Sequence, residues 1–184
     1  MNGRHTIRKT TESAILVALG FVLSYVRIKF LPYGGAVTCV SMLPILLIGY
    51  RCGLLWGLSA GVVYGLLQAL QDGSLAPPAS GLLAYFGMML LDYLAAFGVL
   101  GLSGLFRKYK NGLAIAACAC LALRFLCHVA SGVILWGSYA WDGWSVVPYS
   151  LAYNATYMIP EILLTATAAY FITRYLPKRY LQSY

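Results

Sequence analysis

Four ionisable residues stand inside long apolar stretches: Asp92, Arg124, His128 and Glu161. A charge in such surroundings is expensive unless it is paired, solvated or used. Asp92 lies in YFGMMLLDYLAAFG with Tyr93 beside it, and a carboxylate there needs a donor, either a neighbouring side chain or a cationic ligand. His128 and Trp136 are eight residues apart in one apolar segment, so on a helix they share nearly the same face, two turns from each other. Taken alone, His128 reads equally as a satisfied core residue or as a pocket residue. Tyr149 and Asn154 open the next segment and offer a hydroxyl on an aromatic plate and an amide that both donates and accepts. That pair suits a flat heteroaromatic ligand with amino and ring-nitrogen groups, and the carboxylate and aromatic faces suit a positive charge on it. A planar organic cation satisfies all of these requirements together.

Reaction chemistry is not indicated. Asp92 and His128 form an acid/base pair on paper, but no nucleophile is arranged with them. The chain has no GxxxxGK(S/T) phosphate loop, GxSxG elbow, HExxH zinc helix or GxGxxG turn. The expectation is a binding protein, not an enzyme, with no cofactor and no metal. Arg124 and Glu161 read differently. Each falls about midway along its segment, so an ion pair between them is expected, with Pro160 loosening the helix beside Glu161.

The elements that position these residues are membrane helices. Of 184 residues, 61% are hydrophobic and only 10% charged, far from the soluble average. Six segments have spanning character against the ~20 residues a crossing needs: 11–30, 36–50, 52–71, 80–105, 112–137 and 148–176. Arg4, Arg8 and Lys9 precede the first, Arg51 separates the second and third, Arg107, Lys108 and Lys110 separate the fourth and fifth, and Arg174, Lys178 and Arg179 follow the sixth. All of these share one side if the helices alternate, whereas the other side carries Arg27 and Lys29 with Asp72 and Asp142. The positive-inside rule then predicts an all-α integral membrane protein of six transmembrane helices with both termini cytoplasmic, a single domain over residues 1–184. The net charge of +8 reads as topology and contact with the lipid bilayer, with no nucleic acid implied.

The alternation puts the loops around 31–36, 72–80 and 138–148 outside. The last belongs to the stretch His128–Asn154, which collects three Trp and three Tyr at the junction of two apolar segments. Trp141 and Trp144 are expected in an interfacial belt, with Trp136 turned inward. DGSLAPPASG is turn-rich enough for a lid, and LPYGGAVTCVSMLP reads as a loop running into a short second helix. Gly57, Gly61 and Gly65, four apart, predict close helix packing, and Ala14 and Ala18 repeat that spacing on the first helix. The five cysteines show no metal-ligand spacing and read as small packing residues.

These residues resemble a known family. The run HxxxGxxxWxxYAWxGWxxxxYSLxYN from His128 to Asn154 is similar to the signature of the thiamine-specific substrate-binding subunit of energy-coupling factor transporters. Further similarities are TExAxxxAL from Thr11, YGG followed by MLPILL from Met42, RxGLxxGxxxGxxxG from Arg51 and DYxxAFxxLGLSGLF from Asp92. The resemblance spans nearly the whole chain. It implies a six-helix subunit of the bacterial plasma membrane that captures thiamine from outside and associates with a transmembrane coupling protein and two cytoplasmic ATPases. It further implies that Asp92 accepts from or balances the cationic ligand, that Tyr93 and His128 line the pocket, and that Trp136 stacks on a ring. Tyr149 and Asn154 are implied to bond the aminopyrimidine, with Tyr85 a further candidate, and Ala14 and Ala18 to meet the coupling protein. Some members carry Trp and Glu where this chain has Gly35 and Cys39, and Glu where it has Asp92, departures that bear on affinity and fine specificity.

Overall fold

The computed structural model describes residues 3–29, 35–73 and 81–181. Six helices account for most of it: α1 (Gly3–Leu23), α2 (Leu43–Cys52), α3 (Leu54–Gln71), α4 (Leu82–Phe106), α5 (Gly112–Leu135) and α6 (Val146–Tyr175), followed by the short α7 (Lys178–Leu181). Each of α3 to α6 is long and apolar enough to cross a membrane. Helix α1, at 21 residues, reaches roughly 31 Å, and its charges cluster in the first turns.

The outer end of α1 departs from the expected helix over 11–30. It stops at Leu23, and the chain continues as strand β1 (Arg27–Lys29), which pairs antiparallel with β2 (Ala36–Thr38) in the register Ile28 opposite Val37. Ser24, turning its hydroxyl back to the Phe21 carbonyl at 2.6 Å, closes the helix, and the β-branched Val26, Ile28, Val37 and Thr38 favour the ribbon. The expected second span is correspondingly short. Helix α2 has 10 residues, about 15 Å, and cannot cross alone. It is viable because nearly all of it is buried in protein, with Ile45, Leu46 and Ile48 fully enclosed.

Glycine contacts pull α2, α3 and α4 together. A Cβ on Gly57 would lie 2.5 Å from the Gly49 Cα and 2.7 Å from the Gly101 Cα, one on Gly61 3.0 Å from the Gly98 Cα, and one on Gly65 2.6 Å from the Tyr93 carbonyl oxygen. The expected packing stripe therefore runs along α4 and fixes the depth of the segment that carries Asp92. Within α4, residues Met89–Ala95 form a π-helical stretch, a widened turn often found where a helix carries a functional group.

Arginines tie the two ends of the bundle. Arg51 pairs with Glu12, and Arg107 caps the last carbonyls of α2 by donating to Tyr50 and, at 3.4 Å, to Gly49. At the ribbon end Arg27 pairs with Asp72 at 2.7 Å.

Candidate ligand pocket

At the ribbon end the helices enclose a cavity of about 310 Å³, at the small end of the range for ligand sites. One wall is a stripe on α5 and the residue that caps it, Trp136. Arg124, His128, Gly132 and Trp136 follow each other at four-residue steps and all face the cavity. Helix α6 supplies two more series at that spacing, Tyr149–Tyr153–Tyr157 and Ser150–Asn154. Helix α4 contributes Asp92, Tyr93 and Phe97, α3 contributes Gln68 and Gln71, and the ribbon contributes Arg27, Lys29, Ala36 and Thr38. The pocket is thus a box of aromatic rings with carboxylate, imidazole, amide and guanidinium groups set between them.

Asp92 is the hub of its polar network. Its Oδ1 lies 3.0 Å from the His128 Nδ1, and its Oδ2 accepts from the Ser131 hydroxyl at 2.6 Å and, at 3.4 Å, from the Trp136 indole N–H. The widened turn of α4 brings this carboxylate to α5 while Tyr93, 7% exposed, remains in the wall. His128 Nδ1 donates to the carboxylate, leaving Nε2 buried with no partner among the described residues. Asn154 is partly committed within the protein. Its Nδ2 donates to the Ser150 carbonyl at 2.8 Å, and its Oδ1 accepts from the Tyr157 hydroxyl, which leaves one lone pair of that oxygen.

The pocket brings together six of the seven residues singled out from the sequence: Asp92, Tyr93, His128, Trp136, Tyr149 and Asn154. Tyr85 is not among the lining residues; it packs edge-on against Phe86, with ring centroids 6.4 Å apart. Ala14 and Ala18 lie on the exposed face of α1, and Trp141 and Trp144 are 42% and 47% exposed in the loop before α6. Residues 30–34 and 74–80, which hold most of the loop and lid expectations, fall outside the described residues.

The expected ion pair between Arg124 and Glu161 is not formed. Glu161 is fully buried, and its carboxylate accepts from the Thr38 backbone N–H at 2.6 Å and the Thr38 hydroxyl at 2.8 Å. Arg124 lies over the Phe97 ring, 4.2 Å from its centroid, and donates to the Met42 sulfur at 2.7 Å. The correction follows from the ribbon. Estimating depth along two helices leaves out a third element, and β2 reaches inward to occupy the carboxylate first.

Several lining residues were not singled out. Tyr153 and Tyr157 continue the spacing begun by Tyr149, so an i, i+4 extension finds them; Arg124, expected only as an ion-pair partner, continues that of His128 and Trp136 into the cavity wall. Gln68, Gln71 and Thr38 had no such signal. Gly35 has φ +72°, and a Cβ there would lie 2.5 Å from the Tyr157 ring. The aromatic plane at this wall is therefore Tyr157. Cys39 is exposed and is not among the cavity-lining residues.

A family model described as thiamine transporter protein (Thia_YuaJ) matches residues 10–181. The thiamine transporter ThiT of Bacillus subtilis (strain 168) is 35% identical to this chain over 181 residues, covering 90% of each. That of Lacticaseibacillus paracasei is 27% identical over 193 residues, covering 89% of this chain and 90% of the relative. Among solved structures, ThiT from Listeria monocytogenes has the same fold, with a TM-score of 0.79 at 22% identity over 95% of this chain and 98% of that one.

Proposed function

Because the chain belongs to the thiamine transporter protein family, a family of multi-pass membrane transporters and not of enzymes, we propose that it is the thiamine-binding subunit of an energy-coupling factor importer and captures its ligand from the extracellular side. The observation that carries the reading is the Asp92 carboxylate, held at the wall of an aromatic-lined cavity of about 310 Å³. Thiamine joins a thiazolium cation to an aminopyrimidine. The carboxylate balances the cation, Trp136 and the α6 tyrosines offer faces for flat rings, and His128 and the remaining acceptor site on Asn154 suit the amino group. Tyr93 and Tyr149 close the walls.

Orientation follows from charge. The ends bearing Arg51 and Arg107 belong inside and the ribbon end outside, so both termini are cytoplasmic and the single domain opens its pocket outward. No bond is made or broken on the ligand. Energy enters through a transmembrane coupling protein and two cytoplasmic ATPases, and this subunit supplies an affinity that must weaken on release.

The reading predicts saturable quenching of tryptophan fluorescence by thiamine below about 1 µM, a free energy of roughly −8 kcal/mol or better. In sealed vesicles of known orientation the quenching should follow ligand applied at the ribbon side. Quenching only from the opposite side sinks the orientation; no quenching in detergent, with a different small molecule found bound by mass spectrometry, sinks the ligand.

Ala14 and Ala18, on the exposed face of α1, form the surface on which a coupling-protein helix would pack closely. Leucine at both positions is expected to leave thiamine titration of the isolated subunit unchanged and to abolish ATP-driven uptake in the reconstituted complex. Undiminished uptake would assign docking to another face.

A further inference from the structure

Ser131 is fully buried and is not one of the cavity-lining residues. A buried serine in a helix commonly returns its hydroxyl to a carbonyl of its own helix. Here the hydroxyl crosses to α4 and donates to the Asp92 Oδ2 at 2.6 Å, the shortest of the three contacts to that carboxylate. Three residues earlier on the same face, His128 takes the other oxygen. The terminal torsion of an aspartate is broad and roughly two-fold, so a short side chain with a single firm partner would swing. The 3.4 Å contact from Trp136 is too long to prevent this. The serine on one oxygen and the histidine on the other together lock the plane of the carboxylate, which itself lines the cavity.

We propose that Ser131 is a positioning residue for ligand charge: by locking the Asp92 carboxylate from behind, it sets the preference of the pocket for a cationic ring over a neutral ring of the same shape. The proposal rests on the thiamine-binding reading. It assigns the hydroxyl a part in selectivity that a residue merely filling the α4–α5 interface would not have.

The test compares two probes, thiamine and the isostere in which the positively charged ring nitrogen is replaced by carbon, on four proteins: wild type, Ser131→Ala, Asp92→Asn and the double variant. The wild-type titration with thiamine tests the underlying reading by itself. If the proposal holds, Ser131→Ala melts within a few degrees of wild type and loses about tenfold in its preference for thiamine over the isostere. Asp92→Asn loses the preference more fully, and adding Ser131→Ala to it changes the ratio no further, because both act through one carboxylate. An unchanged ratio in Ser131→Ala, or effects of the two substitutions on the ratio that simply multiply, overturns the proposal. An equal loss for both probes overturns it as well, since that marks a structural role only.

Discussion

Asp92→Asn is expected to weaken thiamine binding by roughly 100-fold while leaving the protein folded. Two losses combine. The carboxylate no longer offsets the charge of the thiazolium ring, in a cavity walled mostly by protein where screening by water is weak. An amide also cannot accept on both sides. Asp92 now accepts from His128 on Oδ1 and from Ser131 and Trp136 on Oδ2, whereas an asparagine keeps the Ser131 and Trp136 donors only by turning its NH₂ to His128, which must then change tautomer to accept. Hydrogen bonds to charged groups contribute about 1.5–3 kcal/mol, and a loss near 3 kcal/mol corresponds to about two decades in Kd. Isothermal titration of wild type and variant decides the matter. An unchanged Kd would mean that the ligand sits away from this carboxylate.

Glu161→Ala is expected to produce the largest loss of stability, with a smaller effect from Glu161→Gln. Glu161 anchors the outer ribbon to the middle of α6 through two bonds to Thr38, and Thr38 in turn lies 2.8 Å from the Ser41 hydroxyl just before α2. Removing the carboxylate leaves a backbone N–H unpaired and opens a cavity in a fully buried position. A cost of about 3 kcal/mol corresponds to a fall in Tm of roughly 6–12 °C for a domain of this size. Glutamine keeps one acceptor oxygen and should fall between alanine and wild type. Melting of the detergent-purified variants by intrinsic fluorescence measures this. A Tm for Glu161→Ala within about 2 °C of wild type would show that the ribbon needs no such anchor.

These two residues also mark how far reading along the chain can go. The apolar content, the spacing of basic residues and the lengths of the apolar runs were enough to set a six-helix membrane protein, because a bilayer imposes its thickness and charge asymmetry on any sequence that crosses it. The eight-residue step from His128 to Trp136 was enough to put both on one face of the fifth helix, because helical geometry is local; the matching series Tyr149, Tyr153 and Tyr157 on α6 became visible only once the cavity was in place. Tertiary structure alone decided what those faces meet. The Asp92 network joins residues 36, 39 and 44 positions apart, and the Glu161 anchor joins residues 123 apart. The ribbon in place of the end of the first span was decided in the same way, by hydrogen bonds between distant segments, and the widened turn at Asp92 lies where α4 packs against Gly65 of α3. Periodicity records the direction in which a side chain points from its own backbone; its partner is chosen only when another element is packed against it, and a buried carboxylate takes whichever donors that packing delivers.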